Sequence, residues 1–91
     1  PELSREEIAG FAGRPYAEVA ADILGRFAGD DFAGEHEPVC AEAYARFAHR
    51  AVTPLRQLSE GHWLLELFHG PTLAFKDVAM QMLAALSARE L

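Results

Sequence analysis

Lys76 is the only lysine in the chain, and it stands in the run Leu65-Glu66-Leu67-Phe68-His69-Gly70-Pro71-Thr72-Leu73-Ala74-Phe75-Lys76-Asp77. The other fixed cations are arginines, which keep their proton in a protein, whereas a lysine amine that loses its proton is a nucleophile toward a carbonyl. An imidazole, a hydroxyl and a carboxylate lie close by in sequence at His69, Thr72 and Asp77. A second set, His36, Cys40, His49 and His62, contains the residue types that bind zinc. Only His36 and Cys40 are one helical turn apart, Pro38 falls between them, and no second compact pair completes four ligands. No metal site is expected: the cysteine reads as a small buried thiol and these histidines as solvent-facing groups.

The elements around Lys76 decide what its amine meets. Gly70-Pro71 ends an apolar strand near Phe68, and Thr72 suits the N-cap of a helix beginning at Leu73. Lys76 then falls in the first turn, at the positive end of the helix dipole, where a cation is disfavoured and an anion such as a phosphate is favoured. The apolar neighbours Leu73, Phe75, Val78 and Ala79 act in the same direction by desolvation, while Asp77 opposes them if it lies close. On residue chemistry alone the ordinary reading stands ahead, a lysine whose stem covers apolar surface and whose head reaches water.

The same run, continued by Val78-Ala79-Met80-Gln81, resembles the lysine motif of the threonine synthase family, pyridoxal-phosphate enzymes of the tryptophan-synthase β fold type (fold type II). Upstream, Pro54-Leu55-Arg56-Gln57-Leu58 resembles the family's Pro-Leu-x-x-Leu, and Tyr16-Ala17-Glu18-Val19-Ala20 resembles its Tyr-x-Glu-x-Ala. The likeness covers nearly the whole chain, closely after Val52 and loosely before it. It implies that Lys76 is both the catalytic lysine and the covalent anchor of pyridoxal 5'-phosphate. The implied reaction converts O-phospho-L-homoserine and water to L-threonine and phosphate by elimination and hydration, with the freed amine of Lys76 as acid and base. Weaker roles fall to the neighbours. Thr72 and His69 are candidate substrate contacts; helix capping accounts for the first equally well, and closing the turn is the favoured role of the second. Phe75 is expected to pack behind Lys76, and Asp77 to orient it or to pair with an arginine. Gly70 and Pro71 are expected only to set the backbone direction. A threonine-synthase-like lyase of other specificity, a non-catalytic relative and a free-standing helical interaction module are the alternatives.

Size and charge bound these readings. The chain has 91 residues, 51% of them hydrophobic, enough for one small domain. Enzymes of this fold type are several times longer, so the chain resembles the beginning of one, an N-terminal domain over residues 1–68 and the start of a catalytic domain over 69–91. Pro1 in place of an initiator methionine implies further sequence upstream, and the short signature with which these enzymes open is absent. The glycine-rich phosphate cradle and the partner of the pyridine nitrogen belong to later sequence in this fold type. The segment alone is therefore expected neither to turn over substrate nor to hold the cofactor tightly. A net charge of −6 argues against a nucleic-acid surface. No apolar run of about 18 residues and no charged leader is present, so neither a membrane span nor a secretory signal is expected. The single Cys40 cannot form an internal disulfide, compatible with a reducing, cytoplasmic setting.

The rest of the chain reads as an α+β segment, mostly α. Ser4-Arg5-Glu6-Glu7 has the capping-box pattern, predicting a helix over 5–12 closed by Gly13. Pro15 suits the first turn of a second helix, with Tyr16, Val19, Ala20, Ile23, Leu24 and Phe27 on one face and Gly29-Asp30-Asp31 at its end. Phe-Ala-Gly recurs at Phe11, Phe27 and Phe32 with unequal spacing, which rules out a repeat. Residues 34–37 are polar and predict a loop. Pro38 opens a third helix through Cys40, Tyr44, Phe47 and Ala48, with Glu42 and Arg46 four apart on its wet side. Residues 52–58 and 62–68 predict a hairpin around Ser59-Glu60-Gly61, which must pack on something, and the three helices are nearest. From Leu73 to Leu91 apolar residues spread around the helix, Phe75, Val78, Met82 and Leu86 on one side and Met80, Leu83 and Ala84 well round from it. Such a helix is buried on most sides. A missing domain of the same chain is the favoured cover, ahead of oligomerisation through the exposed face or fraying of the helix.

Overall fold

The computed structural model describes residues 2–90, in the order α1 (Arg5–Ala9), α2 (Tyr16–Ala28), α3 (His36–Tyr44), β1 (Leu55–Ser59), β2 (His62–Leu65) and α4 (Asp77–Glu90). The fold is α+β and mostly α. None of the described helices is long and apolar enough to cross a membrane.

Local signals account for most helix ends. Ser4 accepts from the Glu7 amide and Glu7 accepts from the Ser4 amide, the reciprocal capping box. α1 stops at Ala9, earlier than its pattern suggested, and a series of turns runs to Gly13 at φ 78°. Pro15 precedes α2 rather than entering it, and its carbonyl receives the Glu18 and Val19 amides. Gly29, at φ 60°, closes α2. Arg26 joins Glu7 to Asp22, tying α1 to α2. α3 begins at His36, so residues 36 and 37 are helical rather than loop. Pro38 then lies inside the first turn, where a missing N–H breaks no bond.

The core sits where α3 is held between α2 and α4. Val39 and Cys40 are fully buried, and Ala21, Cys40, Ala43, Tyr44, Phe47 and Val52 form one cluster edged by Leu24, Val78 and Met82. Tyr44 meets Tyr16 and Phe47 edge-on, at 5.1 and 5.4 Å between ring centres. Its hydroxyl donates to the Val78 carbonyl at 2.9 Å, joining α3 to α4, and burial pushes its pKa well above the usual phenol range. The inward stripe of α2 leaves out Phe27, which is 72% exposed. α3 ends at Tyr44, short of the span predicted through Ala48, and Phe47 is buried from the turn that follows it. Glu42 and Arg46 reach across to α4 instead of to each other: Glu42 accepts from Arg89 at 2.9 Å, and Arg46 donates to Gln81 at 2.9 Å. Val52 keeps its side chain inside the core at a left-handed φ of 59°, a strained choice for a β-branched residue.

The hairpin differs from its prediction in length and in packing. Leu55 pairs with Leu65, Arg56 with Leu64, Gln57 with Trp63 and Ser59 with His62, with a register shift between Gln57 and Ser59. The turn is Glu60-Gly61, Gly61 taking φ 77°. Every residue of both strands is exposed, and no described helix packs on the sheet. The ribbon is joined at its base by Glu66 N–H to the Pro54 carbonyl, and the strand that leaves it by Ala48 N–H to the His69 carbonyl. The molecule is accordingly flat, about 47 × 34 × 19 Å.

Candidate functional site

The lysine-bearing segment is a closed loop rather than the first turn of a helix. α4 begins at Asp77, four residues later than predicted. Two features delay it. Leu73 takes a left-handed φ of 66°, which no α-helix tolerates, and Thr72 is drawn backward onto Asp77. The Thr72 amide donates to Asp77 Oδ2 at 2.9 Å, and the Thr72 hydroxyl lies 2.9 Å from both carboxylate oxygens. Thr72 is thus not the cap of α4, and its hydroxyl proton is committed within the chain. Lys76 holds the cap position in the backbone sense, because its carbonyl receives the Met80 amide at 2.9 Å.

Asp77 is the buried charge of this segment, only 3% exposed. Burial pushes its carboxyl pKa up, but the hydrogen bonds from Thr72, with smaller help from Gln81 and the Ala74 region, outweigh this and hold it below the usual value. It pairs with no arginine directly. Gln81 donates to Oδ1 at 3.4 Å while accepting from Arg46, so the link to a cation runs through one amide. Gly70 is packed against this group so tightly that a β carbon there would overlap Cβ and Oδ2 of Asp77. Gly70 is therefore fixed by close approach, beyond the turn-setting role its sequence position suggested.

Lys76 opens onto an apolar groove of about 600 Å³ that it lines with Leu67, Phe75, Val78, Ala79 and Met80. Phe75 is 66% exposed and stands beside the lysine, not behind it. Lys76 itself is exposed, so the desolvation expected from its apolar neighbours is not supplied by the described residues. An amine at the edge of apolar walls fits an aldehyde carried on a flat ring. The same groove offers no phosphate cradle among the described residues. The first amides of α4 are already bonded in the turn, Asp77 to Ala74 and Val78 to Phe75.

His69 closes the turn. Its Nε2 donates to Glu66 Oε1 at 2.9 Å, both side chains largely buried, and its ring lies 5.1 Å from that of His49. The metal-type residues do not converge. His36 is half-buried and donates to the Asp31 carbonyl, His49 accepts from the Ala51 amide, His62 lies beside Ser59, and Cys40 is sealed in the core. No group of three metal-ligating side chains occurs among the described residues. Gln81 and the steric demand at Gly70 were missed from sequence, although the four-residue step from Asp77 to Gln81 is a readable helical pair.

No family model matches the chain. It is 48% identical over 87 residues to threonine synthase of Pseudomonas aeruginosa, covering 94% of this chain and 19% of that protein. Against threonine synthase of Schizosaccharomyces pombe it is 36% identical over 88 residues, 94% of this chain and 17% of the relative. Among solved structures, the crystal structure of PLP-bound threonine synthase from Brucella melitensis superposes with a TM-score of 0.89 at 45% identity, over 99% of this chain and 20% of that one. The chain thus spans about a fifth of the length of the proteins it matches.

Proposed function

We propose that this chain, similar over nearly all its length to a fifth of threonine synthases, is part of a threonine synthase in which Lys76 holds pyridoxal phosphate covalently. The observation that carries the reading is the placement of the chain's single lysine amine at the mouth of an apolar groove, within a fold similar to that of a PLP-bound threonine synthase. Residues 1–68 then form the N-terminal domain and 69–91 begin the catalytic one. In this reading the groups for the cofactor's phosphate and ring nitrogen come from the rest of a longer parent. The exposed hairpin and the outer face of α4 are covered by it.

The substrate is O-phospho-L-homoserine and the products are L-threonine and phosphate. Bound at Lys76, the cofactor supplies an electron sink that makes the substrate carbons near its amine acidic. Lys76 would hold the cofactor, and its amine, when free, would take and return protons at Nζ beside those carbons. Leu67, Phe75 and Met80 would give the bound cofactor one apolar wall, limiting water on that side. Thr72, its hydroxyl turned to Asp77, and His69, turned to Glu66, serve the loop rather than the substrate. The isolated chain, with only one wall of the site, is inactive.

Borohydride reduction of the cofactor-loaded parent, followed by peptide mass mapping, tests the assignment. A pyridoxyl group on Lys76 is expected, and one on any other lysine overturns it. Release of phosphate and threonine from O-phosphohomoserine by the parent separates this reading from a lyase of other specificity.

A further inference from the structure

We infer that Asp77 is a positioning residue for Lys76, acting through Thr72 and Gly70 to close the lysine loop into a rigid hoop; this rests on the proposed role of Lys76. A carboxylate at the start of a helix ordinarily accepts from the amides of its own first turn. This one reaches backward instead, taking the amide and hydroxyl of Thr72, five residues upstream. Helix capping does not explain that direction. The result is a ring of chain from Gly70 to Asp77, closed by the side chain at its last residue. The Gly70 carbonyl receives the Leu73 amide at 3.0 Å, the Ala74 carbonyl receives the Asp77 amide at 3.0 Å, and Leu73 is held at φ 66°. Only glycine at position 70 leaves room for the carboxylate. Lys76 is the residue before the closing point, so its Cα is held by the hoop on one side and by the first α4 bond on the other. Gln81 and Arg46 carry the restraint on to the end of α3, so the hoop is referenced to the core. A nucleophile displaced by about 1 Å loses roughly a hundredfold in rate, and this is the tolerance such a hoop serves.

The test uses the parent protein with Thr72→Val, which removes the hydroxyl at nearly constant volume, and Thr72→Ser, which restores it. In the cofactor-free protein, the Thr72→Val change is expected to speed hydrogen exchange at the Leu73 and Asp77 amides, which are bonded to Gly70 and Ala74, by about tenfold, a loss equal to one hydrogen bond. In the loaded enzyme kcat for O-phosphohomoserine is expected to fall about tenfold or more with KM nearly unchanged, since the defect lies in the geometry of the reacting amine. Thr72→Ser restores both. Should Thr72→Val not fold, Asp77→Asn, which keeps the size of the side chain, is read in the same way. Unchanged exchange and unchanged kcat, with the pyridoxyl group still mapping to Lys76, overturn the positioning role and leave the function standing. A pyridoxyl group on another lysine overturns both.

Discussion

Between α2, α3 and α4, Val39 and Cys40 are sealed from solvent and Tyr44 is 7% exposed, whereas on the hairpin Leu55, Leu58, Trp63, Leu64 and Leu65 all keep 45% or more of their surface. Both regions carry large apolar side chains. What separates them is whether the apolar side chains find partners inside the chain. α3 is covered on both sides, by α2 and α4, and its polar ends are tied by Arg46 and Arg89. The ribbon has only its own ladder and two bonds at its base, which for an isolated two-stranded sheet gives marginal stability. The groove at Lys76 lies on the seam, α4 forming its floor and the strand leaving the ribbon contributing Leu67. The difference teaches that the covered half of the molecule supplies the rigidity the site needs, and the uncovered half supplies a surface.

The sharpest way to break the contrast is in the core. Tyr44→Ala removes an edge-stacked ring and the bond to Val78, and should lower unfolding free energy by about 3–5 kcal/mol, a large share of the stability of a chain of this size. Denaturant titration of the chain reads this directly. Gly70→Ala forces a β carbon onto Asp77 and should cost about 1–3 kcal/mol by overpacking, measured the same way.

Acid sharpens the contrast further. The pKa of Asp77 is lowered in the fold, so its contribution is present above its unfolded value of 3.8 and is lost as pH falls through the lower folded value. The stability difference between the native chain and Asp77→Asn should therefore be constant near neutrality and shrink below pH 3.8, seen in midpoints at successive pH values. The smallest effect belongs to the ribbon. Trp63→Ala, at a position 57% exposed, should change the midpoint of the chain by no more than about 0.5 kcal/mol. The same substitution in the longer parent should cost several times as much, if the parent covers this face as proposed.

Much of the fold was legible because its signals are local. The Ser4–Glu7 box, Gly29 after α2 and Gly61 in the hairpin turn each act within a few residues, and each stands where the pattern put it. The start of α4 was misread because Thr72 looks like a cap until Asp77 is seen pulling on it from five residues away, and because Leu73 gives no sign in its chemistry of a left-handed φ. Phe27 was placed inside by periodicity, yet it stands 72% exposed at a hollow that it lines with Ile23, Leu24, Tyr44 and Met82, on the core side but not covered. The packing of the hairpin was unreadable for a plainer reason: its apolar residues demand a partner, and a linear pattern does not say which. Lys76 stood out by resemblance more than by spacing, and although every residue lining the groove beside it falls within residues 65–81, the concave shape they make depends on the backbone path between them.

Cys40 gives this molecule a built-in stopwatch. It is the chain's one sulfhydryl, 0% exposed, with burial raising its pKa and so suppressing the reactive thiolate. A thiol reagent can reach it only when α3 parts from its neighbours, so the rate of labelling times the opening of the whole helical layer. Fluctuations of the ribbon pass unrecorded.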